Sequence, residues 1–530
     1  MKRNGIPWED TLLATHSFAS HLPKSLAHVA SVYLDCSAWK AKYKGEKGLL
    51  PVDLEKSDVE SFLKYGAADA QITARVWAAM QDDLERERPV YEHDKKLASL
   101  CADMTVAGVE VDRERAQSLE RHLKHRKAAL KGRLRALAGR PDYNPRTHEE
   151  TRDILFRVLR GQWRVPTSTG KPSTSDAALE HLQGTGTIAA EFAELLLRWR
   201  VVDKVWGTYV KSIELDPNDL RAHFNWKPFG TVSGRLSCRI QSCPRWADPT
   251  KKNPETGEFG APEERIREIY CAGKGRTLVA FDVRQMEMKL AAYLSGDPDF
   301  IRVCGGDVHT GNAAKVFPQI AAKGWLDGDP NCADCVRHID RARCTCPKKD
   351  IARGKRYRDI AKNLGFAIAY GAEAEKVFIT LRRKGFPTTF NQVSVILSNL
   401  RNAYRQYYRW VDANLAKVRR DGYMRTALLG RIRWLGWYPK PTEVANFPIQ
   451  SCGADIVNRR SLDMKPIADA LDAPLVLQVH DALYYDCPNG NVQKLLTAIK
   501  AQWAEPIHLP SGDLVLTIDI HTGQRWSELG

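Results

Sequence analysis

The sequence predicts an α+β fold, because long helical patterns are combined with short, strongly apolar strand patterns. Residues 111–139 carry leucines at helical spacing. Residues 278–281 form instead a continuous apolar run, typical of a buried strand. Residues 475–487 read LVLQVHDALYYDC, two β-prone runs on either side of His480 and Asp481. With 530 residues the chain is too long for a single core, so several domains are expected.

The composition indicates a globular protein with a polyanionic partner. Hydrophobic residues make up 43% of the chain, which excludes a disordered protein. Lysine and arginine outnumber aspartate and glutamate by 80 to 64, and a net charge of +16 favours nucleic acid. The chain has no apolar run that could span a bilayer and no secretory signal. We therefore expect a cytoplasmic protein, without membrane partners, whose 12 cysteines are mostly reduced.

Two carboxylates, Asp282 and Asp481, lie at the ends of predicted buried strands. Burying an unpaired carboxylate is costly, so a shared hard cation would explain both positions. Mg²⁺ prefers such oxygen ligands, and a pair of these ions promotes phosphoryl transfer. The alternative is that each aspartate simply caps a turn. These two residues alone leave both interpretations open.

A third segment, RDIAKNLGFAIAYGA at 358–372, predicts a helix with an unusual face. Arg358, Lys362, Phe366 and Tyr370 recur every four residues and share one stripe. The two cations suit a triphosphate, and an aromatic ring suits a stacked base. An ordinary surface helix is the weaker alternative, because its polar and aromatic residues would not share a face.

Three segments resemble, in order, the polymerase motifs of family-A DNA polymerases: DVRQMEMK, RDIAKNLGFAIAYG and QVHDA. SGRLSCRIQSCP, DVHTGNAAKVF, LGRIR and NFPIQSCGADI resemble flanking segments of that family. The resemblance implies a right-hand polymerase with an antiparallel palm sheet and a helical thumb and fingers. The implied divisions are a thumb at 90–210, a palm at 211–300 and 421–530, and fingers at 301–420.

The resemblance also implies a role for individual residues in template-directed addition of dNTPs to a DNA primer. Two Mg²⁺ ions are expected at Asp282 and Asp481. Arg358 and Lys362 would bind the incoming nucleotide's phosphates, with Lys362 as proton donor, and Glu287 would crowd a ribose 2′-OH. Further nucleotide contacts are expected from Gln285, His309, Phe366 and Tyr370. Primer–template contacts are expected from Arg235, Asn446, Gln450 and His480. A monomer acting in phage-type replication or repair is implied.

The chain departs from the family pattern at two places outside the fingers. The family's third motif reads His-Asp-Glu, and Ala482 stands here in place of the glutamate. Residues 1–89 resemble a truncated, RNase H-like 3′–5′ exonuclease, with Tyr65 and Asp69 in its last active-site motif. One carboxylate cannot assemble a two-metal site, so we expect no proofreading by this chain. A separate exonuclease chain or replisome factors would then be partners.

A cysteine-rich insertion at 331–350 is a third departure. Cys332, Cys335, Cys344 and Cys346 give Cys-x2-Cys, an eight-residue gap and Cys-x-Cys, and His338 offers an alternative ligand. A polar insertion that cannot form a hydrophobic core needs a bound metal or a cross-link to hold it in one conformation, which favours structural Zn²⁺. The alternative is four reduced thiols in a basic loop.

Two other functions would fit part of the sequence. A single-subunit RNA polymerase shares the palm, but Glu287 and Phe366 match the DNA enzymes. A catalytically impaired primer–template-binding fragment fits the basic charge. That alternative gives no reason for Asp282, Lys362 and Asp481 to occur together.

Overall fold

An antiparallel sheet of four strands organises the fold in this computed structural model. The structure describes residues 8–36, 59–162, 166–167, 169–182, 186–211, 219–244, 262–321, 357–358, 360–362, 374–383, 386 and 388–529. Its strands are β1 (Val109–Val111), β2 (Arg221–Ala222), β3 (Tyr270–Cys271), β4 (Arg276–Val283), β5 (Tyr423–Arg425), β6 (Ile432–Trp434), β7 (Leu475–Val479), β8 (Ala482–Pro488), β9 (Ile507–Leu509), β10 (Gly512–Leu514) and β11 (Ile518–Gly523).

The four-stranded sheet has the order β11–β4–β8–β7, with β4 and β8 as its central strands. Leu278, Val279, Ala280 and Phe281 are at most 2% exposed, which confirms the predicted buried strand. The predicted pair of strands around His480 is also confirmed, as β7 and β8. Three smaller sheets in the described ranges have the strand orders β2–β1–β3, β5–β6 and β10–β9.

Helices surround the sheet and supply most of the remaining structure. The described helices are Thr11–Phe18, Leu26–Tyr33, Val59–Ala79, Gln81–Arg86, Arg88–Ala107, Arg113–Ala138, His148–Arg152, Asp176–Glu180, Ile188–Val205, Met286–Ser295, Pro298–Cys304, Val308–Val316, Pro318–Ala321, Ala374–Arg383, Phe390–Ala403, Arg405–Asp421, Pro441–Ala470 and Val492–Ala504. None of the helices in the described ranges is long and apolar enough to cross a membrane.

The predicted helix at 111–139 is confirmed as Arg113–Ala138. The Asp112 carboxylate caps it by accepting a hydrogen bond from the Arg115 amide at 3.0 Å. Gly139 ends it with φ of +62°, a left-handed conformation that glycine adopts without strain. Leucines of this helix are buried against Ile188–Val205, so the two helices form one packed unit.

The long helix Pro441–Ala470 joins the sheet region to the rest of the molecule. It packs against Met286–Ser295, Arg405–Asp421, Val492–Ala504 and Arg88–Ala107. The helix continues through Pro448 and Pro466. Much of this helix is therefore buried among its helical neighbours.

The N-terminal helices form a smaller core of their own, which includes Leu13, Val29, Val76, Met80 and Leu84. Described residues 8–36 and 59–107 contain helices and no strand. Ion pairs from Arg425 of β5 and from Arg431, and a hydrogen bond from Trp434 of β6, tie this unit to the sheet of β5 and β6. The implied thumb, palm and fingers boundaries and the exonuclease-like origin of residues 1–89 stay predictions.

Candidate active site

The sheet brings Asp282 and Asp481 to neighbouring strand ends. Phe281 of β4 pairs with Leu483 of β8, so the antiparallel register places Asp282 beside Ala482. Val479 pairs with Ala482 across the two-residue turn that contains Asp481. The two aspartates therefore lie at the same edge of the sheet.

The turn between β7 and β8 has an unusual backbone. His480 has φ of +54°, in the left-handed region that non-glycine residues adopt uncommonly. Tight turns of two residues in hairpins require such angles. The exposed His480 thus leads directly into Asp481, whose side chain is 22% exposed.

The charge around Asp481 suits a cation. Burial raises the pKa of Asp481 to about 6; Arg235 opposes the shift, and the negative charges of Glu287 and Asp282 add to it. Two carboxylates supplemented by water and phosphate are a sufficient donor set for Mg²⁺. Within the described ranges, no three His, Cys, Asp or Glu side chains converge into a complete metal cage. The site fits a metal that keeps water or substrate ligands.

A sharp connection carries β4 into the helix Met286–Ser295. Gln285 bridges them with φ of +53°. The first turn of this helix presents Glu287, whose Oε1 accepts a hydrogen bond from Arg235 Nη2 at 2.7 Å. Arg235 thereby holds Glu287 close enough to Asp481 for its negative charge to raise the pKa of Asp481.

An acidic residue that the sequence patterns did not single out holds Arg358. Asp307 accepts hydrogen bonds from Arg358 Nε at 2.7 Å and Nη2 at 3.2 Å. Gln285 Nε2 lies 3.4 Å from the same carboxylate. Asp307 precedes the half-buried His309 and caps the helix Val308–Val316. Asp307 is the aspartate of the DVHTG segment, and its place in that segment could have identified it from the sequence.

Lys362 follows Arg358 by one helical turn and is exposed. The short described stretches at 357–358 and 360–362 are helical, in agreement with the predicted helix. Phe366 and Tyr370 lie outside the described residues.

The predicted primer–template residues lie on one helix, in a loop and in the turn before Asp481. Asn446 and Gln450 are half-buried and lie one turn apart on the helix Pro441–Ala470, so they share a face. The Oδ1 atom of Asn446 is buried without a hydrogen-bond partner in the described part of the chain. Such an atom is costly unless a ligand or water satisfies it. Arg235, which lies 3.8 Å from Asp481, completes the set.

An ion pair next to Asp282 was also not predicted from the sequence. Asp519 of β11 lies directly opposite Asp282 in the antiparallel pairing. Its Oδ1 accepts a hydrogen bond from Arg284, two residues beyond Asp282. Like charges opposite each other destabilise a sheet, and Arg284 offsets this repulsion.

Of two further sets of predicted residues, the structure describes one. Tyr65 and Asp69 are half-buried and one turn apart on the helix Val59–Ala79. The cysteines of the insertion fall outside the described residues: Cys332, Cys335, Cys344 and Cys346.

The architecture is that of right-hand polymerases. A solved structure titled "POL domain of Pol1 from M. smegmatis complex with DNA primer-template and dNTP" superposes with a TM-score of 0.70 at 20% identity. The similarity covers 98% of this chain and 82% of that one.

The family follows from the sequence comparison. The profile of DNA polymerase family A matches residues 113–323 and 336–528, and the chain belongs to that family. It is 26% identical over 482 residues to the thermostable DNA polymerase I of Thermus aquaticus, covering 87% of this chain and 51% of the relative. DNA polymerase I of Chloroflexus aurantiacus is 26% identical over 509 residues, with coverage of 91% and 48%. The chain spans about half the length of the relatives it matches.

Proposed function

We propose that this chain is a template-directed DNA polymerase that adds dNTPs to a DNA primer 3′ end. The observation that carries the proposal is the convergence of Asp282 and Asp481 at neighbouring strand ends in a family-A chain. The proposed partners are primer–template DNA and dNTPs. Phage-type replication or repair by a monomer in the cytoplasm, with a separate exonuclease chain or replisome factors, stays a prediction.

Asp282 and Asp481 would hold two Mg²⁺ ions. Family-A polymerases use divalent metal ions. Such ions activate the attacking oxygen and stabilise the leaving one in phosphoryl transfer. In that reaction the protein mainly positions groups and supplies charge. The raised pKa of Asp481, first from burial and then from nearby negative charge, supports cation binding.

The helix predicted at 358–372 would bind the triphosphate. Arg358 and Lys362 provide two cations one turn apart, and Lys362 would donate a proton to the leaving pyrophosphate. Gln285 and His309 would complete the polar side of the pocket, with Phe366 and Tyr370 against the base.

Glu287 would exclude ribonucleotides by occupying the space of a 2′-OH. Arg235, Asn446, Gln450 and His480 would contact the primer–template near its 3′ end. Acceptors in the minor groove are similar for every base pair, so such contacts sense pair geometry without reading sequence.

A primer-extension assay tests the proposal. The assay uses a 5′-labelled DNA primer–template, Mg²⁺ and dNTPs, with Asp481→Ala beside the intact chain. Asp513→Ala, which changes an exposed carboxylate in β10, is the matched control. Extension that is lost in Asp481→Ala and kept in Asp513→Ala is the expected result. Extension that survives Asp481→Ala would contradict the assignment.

A catalytically impaired primer–template-binding protein is the second candidate. Ala482 favours it, because the position beside Asp282 carries a methyl group and no carboxylate. Duplex binding without extension by the intact chain would select this candidate.

Structural Zn²⁺ in the insertion is proposed on the spacing of its cysteines alone. Metal analysis of the purified chain should find about one zinc per chain. The double variant Cys332→Ser/Cys335→Ser should lose it. Cys36→Ser, at a cysteine outside the insertion, should retain it.

A further inference from the structure

The contact between Asp307 and Arg358 joins two parts of the candidate site. The carboxylate receives both the Nε and the Nη2 hydrogen of the guanidinium, at 2.7 and 3.2 Å. A two-point contact fixes the plane of the guanidinium as well as its distance. Asp307 is 7% exposed and Arg358 is 28% exposed, so the contact lies at the boundary of the interior.

The contact with Asp307 uses the Nε and Nη2 atoms of the Arg358 guanidinium. The Nη1 atom of Arg358 donates to no residue within the described ranges, whereas Nε is occupied by Asp307. A guanidinium carries five N–H donors and can bind a carboxylate at one edge and a phosphate at another.

Asp307 is itself held firmly. It caps the helix Val308–Val316, where the Thr310 amide donates to it at 3.3 Å. Burial alone would raise the pKa of Asp307, but hydrogen bonds from Arg358 and Thr310 lower it to about 2. Gln285, at the end of the strand that carries Asp282, also reaches Asp307. One carboxylate thus connects the sheet edge to the helix of Arg358.

We propose that Asp307 is a positioning residue that orients Arg358 to receive the phosphates of the incoming nucleotide. This inference rests on the proposed function, specifically on Arg358 as a nucleotide-binding residue. Asp307 does not touch the nucleotide. Its contribution is to remove the rotational freedom that Arg358 would otherwise lose on binding.

The test compares Asp307→Asn with the intact chain in single-nucleotide extension. Asparagine retains helix capping, so the variant removes the charge and keeps the cap. We expect KM for dNTP to rise roughly tenfold, the scale of a lost charge-assisted contact, with kcat changed less than about twofold. Equilibrium dNTP binding to a complex with a dideoxy-terminated primer should weaken by a similar factor.

Asp112→Asn is the matched control. Asp112 also caps a helix and also pairs with an arginine, Arg525, at 2.8 Å. This control should leave KM for dNTP unchanged. Both variants are first checked for thermal unfolding and duplex binding, so that a folding defect is recognised.

A double-mutant cycle with Arg358→Ala separates positioning from other roles. The effect of Asp307→Asn should vanish in the Arg358→Ala background. An equal effect in both backgrounds, or an unchanged or lowered KM in Asp307→Asn alone, would overturn the inference. If Arg358→Ala itself leaves nucleotide binding unchanged, the assignment of Arg358 under the proposed function fails, and the inference fails with it.

Discussion

Arg235 bridges Glu287 and Asp481, because its Nη2 atom lies 2.7 Å from Glu287 Oε1 and 3.8 Å from Asp481 Oδ1. Glu287 is 14% exposed, so it is confined both by burial and by this contact. The residue proposed to sense the sugar is therefore rigidly placed beside the residue proposed to bind metal.

Replacing Glu287 by alanine should relax sugar selectivity. The variant opens the space of a 2′-OH, and relief of a steric contact of this size changes discrimination roughly tenfold to hundredfold. The measurement is kcat/KM for a ribonucleotide relative to the matching dNTP on one primer–template. Glu85→Ala, which removes an exposed acid paired with Arg88, should leave the ratio unchanged. Unaltered selectivity in Glu287→Ala would remove Glu287 from the sugar contact.

Replacing Asp481 by asparagine should abolish extension and stabilise the metal-free protein. Burial raises the pKa of Asp481 to about 6. The charge of Arg235 opposes this increase, whereas the charges of Glu287 and Asp282 add to it. Its ionised form is therefore unfavourable in the folded state. A pKa raised from 3.8 to about 6 corresponds to roughly 1–3 kcal/mol of added stability for the asparagine variant near pH 7.5.

The pH dependence checks the sign of this effect. The folded state binds the Asp481 proton more tightly than the unfolded state, so the wild-type protein loses stability as pH rises from about 4 to about 6. The advantage of Asp481→Asn should consequently shrink as pH falls through that range. Thermal unfolding of both proteins, in chelator and at several pH values, measures this difference in stability. Asp513→Asn should show no such gain, and equal stability of Asp481→Asn and wild type at neutral pH would refute the electrostatic argument.

Local sequence patterns were sufficient for the elements that carry the main carboxylates. The apolar run at 278–281 and the paired runs around His480 depend on side chains adjacent in sequence, and both appear as strands. The helix at 111–139 is similarly determined by its leucine spacing and its cap. In each case the signal lies within one element.

Contacts that depend on tertiary register were not predictable in this way. Asp519 faces Asp282 only because β11 adds to β4 in one register. Asp307 meets Arg358 from 51 positions away. The continuous helix through Pro448 also opposes local preference, since proline removes a backbone donor, and burial against neighbouring helices stabilises it.

Replacing Arg284 by serine should lower the Mg²⁺ concentration needed for half-maximal extension. Arg284 neutralises Asp519, which lies opposite Asp282. Removal of this positive charge makes the site more negative, and a divalent ion should bind roughly twofold to fivefold more tightly at low salt. Titration of Mg²⁺ at two ionic strengths measures the effect, which should shrink at high salt.

Arg302→Ser is the control for this prediction. Arg302 forms an exposed pair with Asp299, on the helix Pro298–Cys304. Its loss should leave the Mg²⁺ requirement unchanged. A higher requirement in Arg284→Ser would show that Arg284 supports the site in another way.

Replacing Arg431 by methionine should destabilise the fold strongly. Arg431 is 5% exposed and donates to Asp94 at 2.6 and 2.9 Å and to Asp455 at 2.6 Å. The variant would leave two carboxylates buried together. Loss of one partner from such a network lowers the free energy of unfolding by about 3–5 kcal/mol. Urea unfolding followed by tryptophan fluorescence should show a lower midpoint, whereas Arg420→Met, at an exposed pair with Asp421, should change it little.

The same variant should be less harmful in acid. In the intact protein burial tends to raise the pKa of Asp94, but the charge and hydrogen bonds of Arg431 outweigh it and hold that pKa below its usual range. Without Arg431 the burial effect on the pKa of Asp94 outweighs the smaller, opposite effect of His93, so Asp94 would take up a proton as pH falls towards about 4.5 and the repulsion with Asp455 would ease. The difference in unfolding free energy between Arg431→Met and wild type should therefore narrow between about pH 7 and about pH 4.5. A difference that is small at neutral pH, or that is independent of pH, would show that this buried network contributes packing and not charge pairing.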